Sequence, residues 1–274
     1  MNIHELRVSV VGSDMPADSI WSLLSNKSDD GCFTYTSPST NVVETIPVTP
    51  LGLRSAPQAR MRGKASYRYV ERYSLTMPYF HSTADVADSA QIGEGAAIWD
   101  YAKIREDCRL GENVIIGRGV YIGPGVRIDA NCKIQNYALI YEPAILEAGV
   151  FIGPGVILTN DEYPRAVNPD GSQKGTGDWQ ATGVKVREGA SIGAGSICVA
   201  PVEIGAWSLV AAGSTVVDNV PAFALVAGIP ARRMRWVGKS GVPLLNEGAG
   251  YFVCPKTGTR YLESAIDTLV EVTS

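Results

Sequence analysis

The sequence predicts an all-β fold, a parallel β-helix of hexapeptide repeats with about six coils. Three observations carry this. An aliphatic residue recurs at every sixth position, a small residue sits two places before it, and a glycine often follows it. From Val86 the aliphatic series runs Ile92, Ile98, Ile104, Leu110, Ile116, Ile122, Ile128, Ile134, Ile140, Leu146, Ile152 and Leu158. The residues two before these are Ala84, Ala90, Ala96, Ala102, Cys108, Val114, Val120, Val126, Cys132, Ala138, Ala144, Val150 and Val156. A helical period of 3.6 would scatter this pattern around the axis. Positions i and i+2 instead share one face of a short strand. The economical arrangement is a triangular coil of three hexads, with large residues in the corners and small ones in the flat interior. The glycines at 93, 111, 117, 123 and 153 are expected to serve corners that need unusual backbone angles.

The series breaks after Leu158 and resumes as Val186, Ile192, Cys198, Ile204, Val210 and Val216, preceded by Val184, Ala190, Ser196, Val202, Ser208 and Ser214. Val186 follows Leu158 by 28 residues, which is not a multiple of six. A loop over 161–183 therefore leaves the stack. Long loops of this kind are functional or disordered. The organisation that follows is a β-helix over 81–220 and a C-terminal segment over 221–274. In that segment Tyr251-Phe252-Val253-Cys254 and Thr259-Arg260-Tyr261-Leu262 flank Pro255-Lys256-Thr257-Gly258, which reads as a hairpin.

Residues 1–80 lack the repeat. Ser, Thr, Pro and Asn dominate 34–49, and Arg54, Arg60, Arg62, Lys64, Arg68 and Arg72 face a single acid, Glu71. Three readings stay open: a poorly ordered extension, a regulatory or docking arm, or a segment upstream of a start at Met61 or Met77.

The chain has 274 residues, is 45% hydrophobic and carries a formal charge of −4. The body after residue 80 is acidic, which gives no reason to expect nucleic-acid binding. No basic stretch followed by an apolar one marks a signal peptide, and no apolar run is long enough for a membrane helix. The five cysteines form no C-x-x-C, which argues against zinc or a disulfide framework and suits a reducing cytoplasm.

The six-residue pattern resembles the hexapeptide-repeat acyltransferases, and that resemblance implies left-handed coils. Gly228-Ile229-Pro230-Ala231-Arg232 is similar to their terminal motif, and His81-Ser82-Thr83-Ala84 to the usual opening of their β-helix. Within that family the chain most resembles the N-acetyltransferases of UDP-2-acetamido-3-amino-2,3-dideoxy-glucuronate, over residues 81–262. The matching segments are Lys133-Ile134-Gln135-Asn136, Tyr141-Glu142, Gly149-Val150-Phe151-Ile152-Gly153-Pro154, Thr159-Asn160, Tyr163-Pro164-Arg165-Ala166, Val220-Pro221-Ala222-Phe223-Ala224-Leu225-Val226, and Cys254-Pro255-Lys256-Thr257-Gly258. The resemblance implies acetyl-CoA as co-substrate, no metal, a nucleotide-linked amino sugar as acceptor, a homotrimer with sites between subunits, and a place in surface polysaccharide synthesis. Relatives often carry His at two places in one rung. Here that rung reads Ile98-Trp99-Asp100-Tyr101-Ala102-Lys103-Ile104, without His.

Acyl transfer to an amine needs a neutral amine, a stabilised carbonyl oxygen and held reactants. The only histidines are His4 and His81, neither near the loop. An amine needs a base less than an alcohol does, so the scarcity of His favours an amine acceptor. Asn160, where the chain leaves the stack, matches the family's active-site asparagine; its plainer role is to cap the loop. Asp161 and Glu162 are candidate proton acceptors or solvated loop acids. Gln135, Asn136, Tyr141 and Glu142 are candidates for gripping the nucleotide sugar, and Tyr163 and Arg165 open the loop, with Arg165 suited to a phosphate or carboxylate. By resemblance, backbone amides near Ala194 and Ala212 would meet the pantetheine, and Arg232 and Arg233 its phosphates. A zinc enzyme on the same fold needs about three histidine ligands and finds one in the body. An acyltransferase for a dTDP-amino sugar and a non-catalytic β-helix binding protein remain as alternatives.

Overall fold

Strand pairing repeats every 18 residues: Tyr121 sits beside Lys103 on one side and Leu139 on the other, all parallel. Three such ladders form the faces of a prism. The first runs from Tyr79–Phe80 through Ala97–Ile98, Ile115–Ile116, Lys133–Ile134, Phe151–Ile152, Ser191–Ile192 and Leu209–Val210 to Ala224–Gly228. The second runs from Asp85–Val86 to Thr215–Val216, and the third from Gln91–Ile92 to Glu203–Ile204. This is the left-handed parallel β-helix of the repeat. It is longer than nineteen hexads alone would make it. Tyr79–Phe80 adds a strand below Ala97–Ile98, and Ala224–Gly228 adds one above Leu209–Val210. Neither carries the full hexad signature, so counting hexads passes over them.

This computed structural model describes residues 77–175 and 177–272, with the backbone of 32–36 and 43–47. Met1–Val70 and Glu71–Ser274 are separate units. In the former, Cys32–Thr36 pairs antiparallel with Val43–Pro47. The remainder of the 1–80 extension up to residue 76 lies outside the described residues.

Each strand is two residues long because only one residue points outward between two that point in. Val114 and Ile116 are fully buried, and Ile115 between them is not. The interior is a column of Ile, Leu, Val, Ala and Cys; among the described residues the buried polar ones are Ser196, Ser208 and Ser214. Each buried Ile or Leu contributes roughly 1.5–3 kcal/mol. Since every coil rests only on its neighbours, that stabilisation is spread along the stack.

The corner glycines work differently from the expectation. Gly93, Gly111, Gly117, Gly123 and Gly153 have no left-handed backbone. They are needed because the next coil comes too close: a Cβ on Gly153 would lie 2.6 Å from the Ala194 nitrogen. The left-handed position falls two residues later. It is filled by Gly95, Gly119, Gly125, Gly155, Gly195 and Gly213, but also by Tyr101, Asp107, Asn113, Asn131, Tyr137 and Trp207.

The top of the helix is closed by Ala231–Trp236, which turns back antiparallel on Ala224–Gly228. A four-stranded antiparallel sheet follows, made of Leu245–Gly248, Tyr251–Val253, Arg260–Ala265 and Thr268–Val272. Tyr261 anchors it, fully buried with its ring 5.4 Å from Phe223.

Candidate functional site

Because coils stack in register, residues 18 apart occupy one corner. Leu139 pairs with Ile157 and Ile140 with Leu158, which sets Thr159 above Tyr141 and Asn160 above Glu142. This corner lies between the second and third faces, where the loop departs. Asn160 is half-buried, and its carbonyl accepts a hydrogen bond of 2.9 Å from the Thr182 N–H, closing the neck of the loop. Thr159 Oγ1 accepts from the Ala200 N–H at 2.9 Å, tying the neck to the coil above. Among the described residues the Asn160 side-chain amide has no hydrogen bond. On the coil below, Glu142 Oε2 has no hydrogen-bond partner among the described residues and lies over Gly123, facing the next coil down rather than Asn160.

Asp161 is committed to the loop itself: its Oδ1 accepts from the Tyr163 N–H at 2.9 Å, an Asx turn. Tyr163 is exposed, and a hydrogen bond with Glu162 pushes its phenol above the ordinary range. Arg165 donates to the Pro164 carbonyl at 3.1 Å. With Asp161, Lys174 and Trp179 it lines a cleft of about 460 Å³. A short turn from Asn168 to Ser172 shapes the outer loop; Asp170 Oδ1 accepts from the Ser172 N–H, and Asp178 Oδ2 accepts from the Gly175 N–H and the Asn168 side-chain amide.

Gln135 and Asn136 are elsewhere. They occupy the corner between the first and second faces, a full face away from Tyr141 and Glu142 within one chain. Asn136 is partly structural, since its Oδ1 accepts from the Arg118 N–H at 3.0 Å. The register Lys133–Phe151–Ser191–Leu209 sets Ala194 and Ala212 above Asn136 on that same corner. Both alanines are exposed, and among the described residues neither of their N–H groups has a hydrogen-bond partner. The predicted residues thus form two groups. One is Tyr141, Glu142, Asn160, Asp161, Tyr163 and Arg165; the other is Gln135, Asn136, Ala194 and Ala212.

Above the second group lie Arg232 and Arg233. Arg232 is exposed and 3.1 Å from Asp218. Arg233 is occupied: it pairs with Asp267 at 2.7 Å and Glu263 at 3.6 Å and stacks on Trp236 at 4.3 Å. It holds the C-terminal sheet to the closing strand.

Sequence reasoning passed over Tyr137 and Arg118, beside Asn136. Arg118 Nε donates to the Tyr137 hydroxyl at 2.8 Å, and Arg118 Nη1 lies 2.9 Å from Asp100. These partners, the phenol first, raise the guanidinium's pKa above its usual value. The signal was present in the sequence as a tyrosine where the positions one and two coils above and one below hold glycine.

Other titratable groups are structural. Burial pushes the Cys132 thiol up to about 11 and the Cys198 thiol up to about 12. Arg187 bridges Glu147 and Glu203 at 2.7 Å each. His81 belongs to the lowest coil, where it bonds Thr83 at 3.0 Å. Among the described residues no group of three or more His, Cys, Asp or Glu could hold a metal ion. No helix of the described residues is long and apolar enough to cross a membrane.

Two family models match the stack on either side of the loop. Bacterial transferase hexapeptide (six repeats) matches residues 89–124, and hexapeptide repeat of succinyl-transferase matches residues 182–217. A serine acetyltransferase of Haemophilus influenzae is 38% identical over 77 residues, 28% of this chain and 28% of the relative. A dTDP-3-amino-3,6-dideoxy-alpha-D-galactopyranose 3-N-acetyltransferase of Aneurinibacillus thermoaerophilus is 51% identical over 47 residues, 17% of this chain and 24% of the relative. The chain therefore spans less than a third of the length of these relatives. Among solved structures, perosamine N-acetyltransferase from Caulobacter crescentus, in complex with CoA and GDP-perosamine, is 25% identical, with 57% of this chain and 56% of that one covered at a TM-score of 0.34. The acetyltransferase domain of PglB from Neisseria gonorrhoeae, in complex with acetyl coenzyme A, is 21% identical, with 58% of each chain covered at a TM-score of 0.35. Both runs of hexads are thus similar to transferase hexapeptide repeats, over residues 89–124 and 182–217.

Proposed function

We propose that the chain moves an acetyl group from acetyl-CoA to the amine of a nucleotide-linked amino sugar, of the UDP-3-amino uronate type used for surface polysaccharides. The observation that carries this is the loop neck, where the half-buried Asn160 amide, without a hydrogen bond among the described residues, stands one coil above Tyr141 and Glu142. An amine brings N–H donors to a carboxylate and a lone pair to a thioester. Asn160 orients it, with Tyr141 and Glu142 on the coil below lining the way in. The amine nitrogen bonds to the acyl carbon, the C–S bond breaks, and the nitrogen's proton passes to the departing thiolate. No histidine is required, in keeping with His81 lying on the lowest coil. Asp161, whose Oδ1 is taken by the Tyr163 N–H, serves the loop rather than the proton.

Support for the donor comes from the other corner. The unpaired Ala194 and Ala212 amides suit the carbonyl groups of a pantetheine arm, and Arg232 suits phosphates at its upper end. Gln135 and Asn136 stand at the lower end of that corner. The two groups belong to one site only if two subunits meet, so a homotrimer is part of the proposal. The outward residues support it. Tyr121, Leu139, Ile157 and Ile197 make the middle of the second face apolar, with Asp85, Lys103 and Thr215 towards its ends, whereas the third face presents Arg109, Arg127, Lys185 and Glu203 around Ile145. A face of the first kind is more stable covered. The chain would work in the cytoplasm, where acetyl-CoA is made.

A dTDP-amino sugar is the second reading, favoured by the 47-residue match to the dTDP-3-amino sugar enzyme. Thiol release from acetyl-CoA across a panel of UDP-, dTDP- and GDP-linked amino sugars decides. The UDP-3-amino uronate should give the highest kcat/KM. Preference for the dTDP sugar would replace the acceptor, and no release with any amino sugar would refute the activity.

A further inference from the structure

The corner between the first and second faces changes character along its length. Gly155, Gly195 and Gly213 fill its left-handed position on three successive coils, each with open space where a Cβ would stand. One coil lower the same position holds Tyr137, at φ 60°. Side chains disfavour that backbone, and glycine would adopt it without strain. The ring folds down over Gly119, so closely that a Cβ there would lie 2.6 Å from two of its carbons. It is also pinned. Arg118 Nε donates to the hydroxyl at 2.8 Å, Asp100 holds Arg118 at 2.9 Å, and the guanidinium covers the Tyr101 ring at 5.1 Å. An exposed tyrosine on an unfavourable backbone, braced by an ion pair, is costly to keep as mere surface.

We propose that Tyr137 sets the length of the acyl group the chain transfers. This rests on the donor reading given above and adds its specificity. Charge gives the direction. The upper end of the corner carries the exposed Arg232 and Arg235 on the closing strand, so the phosphates of an extended donor lie there and its acyl end points down the bare glycines. The run of bare backbone stops at the Tyr137 ring. Without that ring it would continue through residue 137 to Gly119, two more coils or about 10 Å at the usual strand spacing. The ring is therefore a floor: it leaves room for a short acyl group and excludes a long one. Arg118 and Asp100 are positioning residues that keep the floor in place.

The test compares kcat/KM for butyryl-CoA with that for acetyl-CoA, using the full chain and its amino-sugar acceptor. Tyr137→Gly suits the backbone at this position and removes the floor. Its butyryl-to-acetyl ratio should rise at least about 10-fold over wild type, the scale of discrimination set by pocket depth. Tyr137→Phe keeps the ring and should stay near the wild-type ratio. An unchanged ratio in Tyr137→Gly overturns the proposal, and so does a Tyr137→Phe variant as permissive as Tyr137→Gly. Calorimetry with each thioester separates this from the reading beneath it. A wild type that binds neither one refutes the donor site itself, and the proposal falls with it.

Discussion

Replacing Gly153 with Ala should destabilise the chain more than the same change at Gly155, two residues away. At 153 the added carbon would lie 2.6 Å from the Ala194 nitrogen and 2.9 Å from both the Gly193 carbonyl carbon and the Ile192 oxygen. All three are backbone atoms of the next coil, so no side chain can swing aside. Ordinary contact needs about 3.5–4.0 Å, so the coils must part by roughly 1 Å. The Gly153 N–H donates to the Ile192 carbonyl at 2.8 Å. Opening by that amount takes it out of hydrogen-bonding range. Overpacking of this kind costs about 1–3 kcal/mol, and the lost bond adds about 1. At 155 the Cβ meets nothing within 4 Å, and only the left-handed backbone at φ +66° resists it. That costs about 1–2 kcal/mol. Urea unfolding should therefore rank wild type above Gly155→Ala and Gly155→Ala above Gly153→Ala. Equal losses, or a reversed order, would refute the division of labour between the two glycines.

Asn160→Ala should lower turnover by about 100-fold, the loss typical of one oriented donor, with CoA affinity by calorimetry nearly unchanged. Asp161→Asn should change turnover little, because Asn caps the same turn; loss of activity there would return the proton to Asp161. Ser208 Oγ is buried without a partner among the described residues, so Ser208→Ala should raise stability by about 1 kcal/mol in urea unfolding, and a clear loss would refute that. Burial opposes ionisation of Cys254, but hydrogen bonds from Ser240, Thr257 and the Lys256 and Thr257 amides outweigh it and lower the thiol from 9.0 to about 7. A pKa lowered by folding favours the native state above the unfolded value and loses that benefit as pH falls through the folded one. Relative to Cys254→Ser, the wild type should gain stability from pH 7 to pH 9, and parallel pH profiles would exclude a thiolate.

The stack was legible because one repeated rule acts at every coil. Ile116 and Ile134 are buried for the same reason, so each confirms the other. What the repeat conceals is which corner a polar residue occupies. Gln135 and Glu142 are seven residues apart in sequence, yet a face of the prism lies between them. Steps of 18, rather than nearness in the chain, bring residues together, as they bring Asn160 over Glu142. The glycine after each aliphatic was visible, but its cause was not. Close approach between coils and a left-handed backbone both select glycine, and only the structure separates Gly153 from Gly155. Arg233 looked available because the sequence does not reveal that the C-terminal sheet brings Asp267 and Glu263 to it. The strands at Tyr79–Phe80 and Ala224–Gly228 escape a count of hexads because the end coils carry less of the hexad pattern.

The central claim is transfer to an amine at a corner that lacks histidine. It is tested most directly by offering acetyl-CoA and two matched nucleotide sugars, one with the 3-amino group and one with a hydroxyl in its place, and weighing the products by mass spectrometry. The account predicts one added acetyl on the amino sugar, its yield rising with pH as the amine loses its proton, and none on the hydroxyl analogue. Acetylation of the hydroxyl sugar at a comparable rate would demand a base that Asn160 and Glu142 do not supply, and would contradict it.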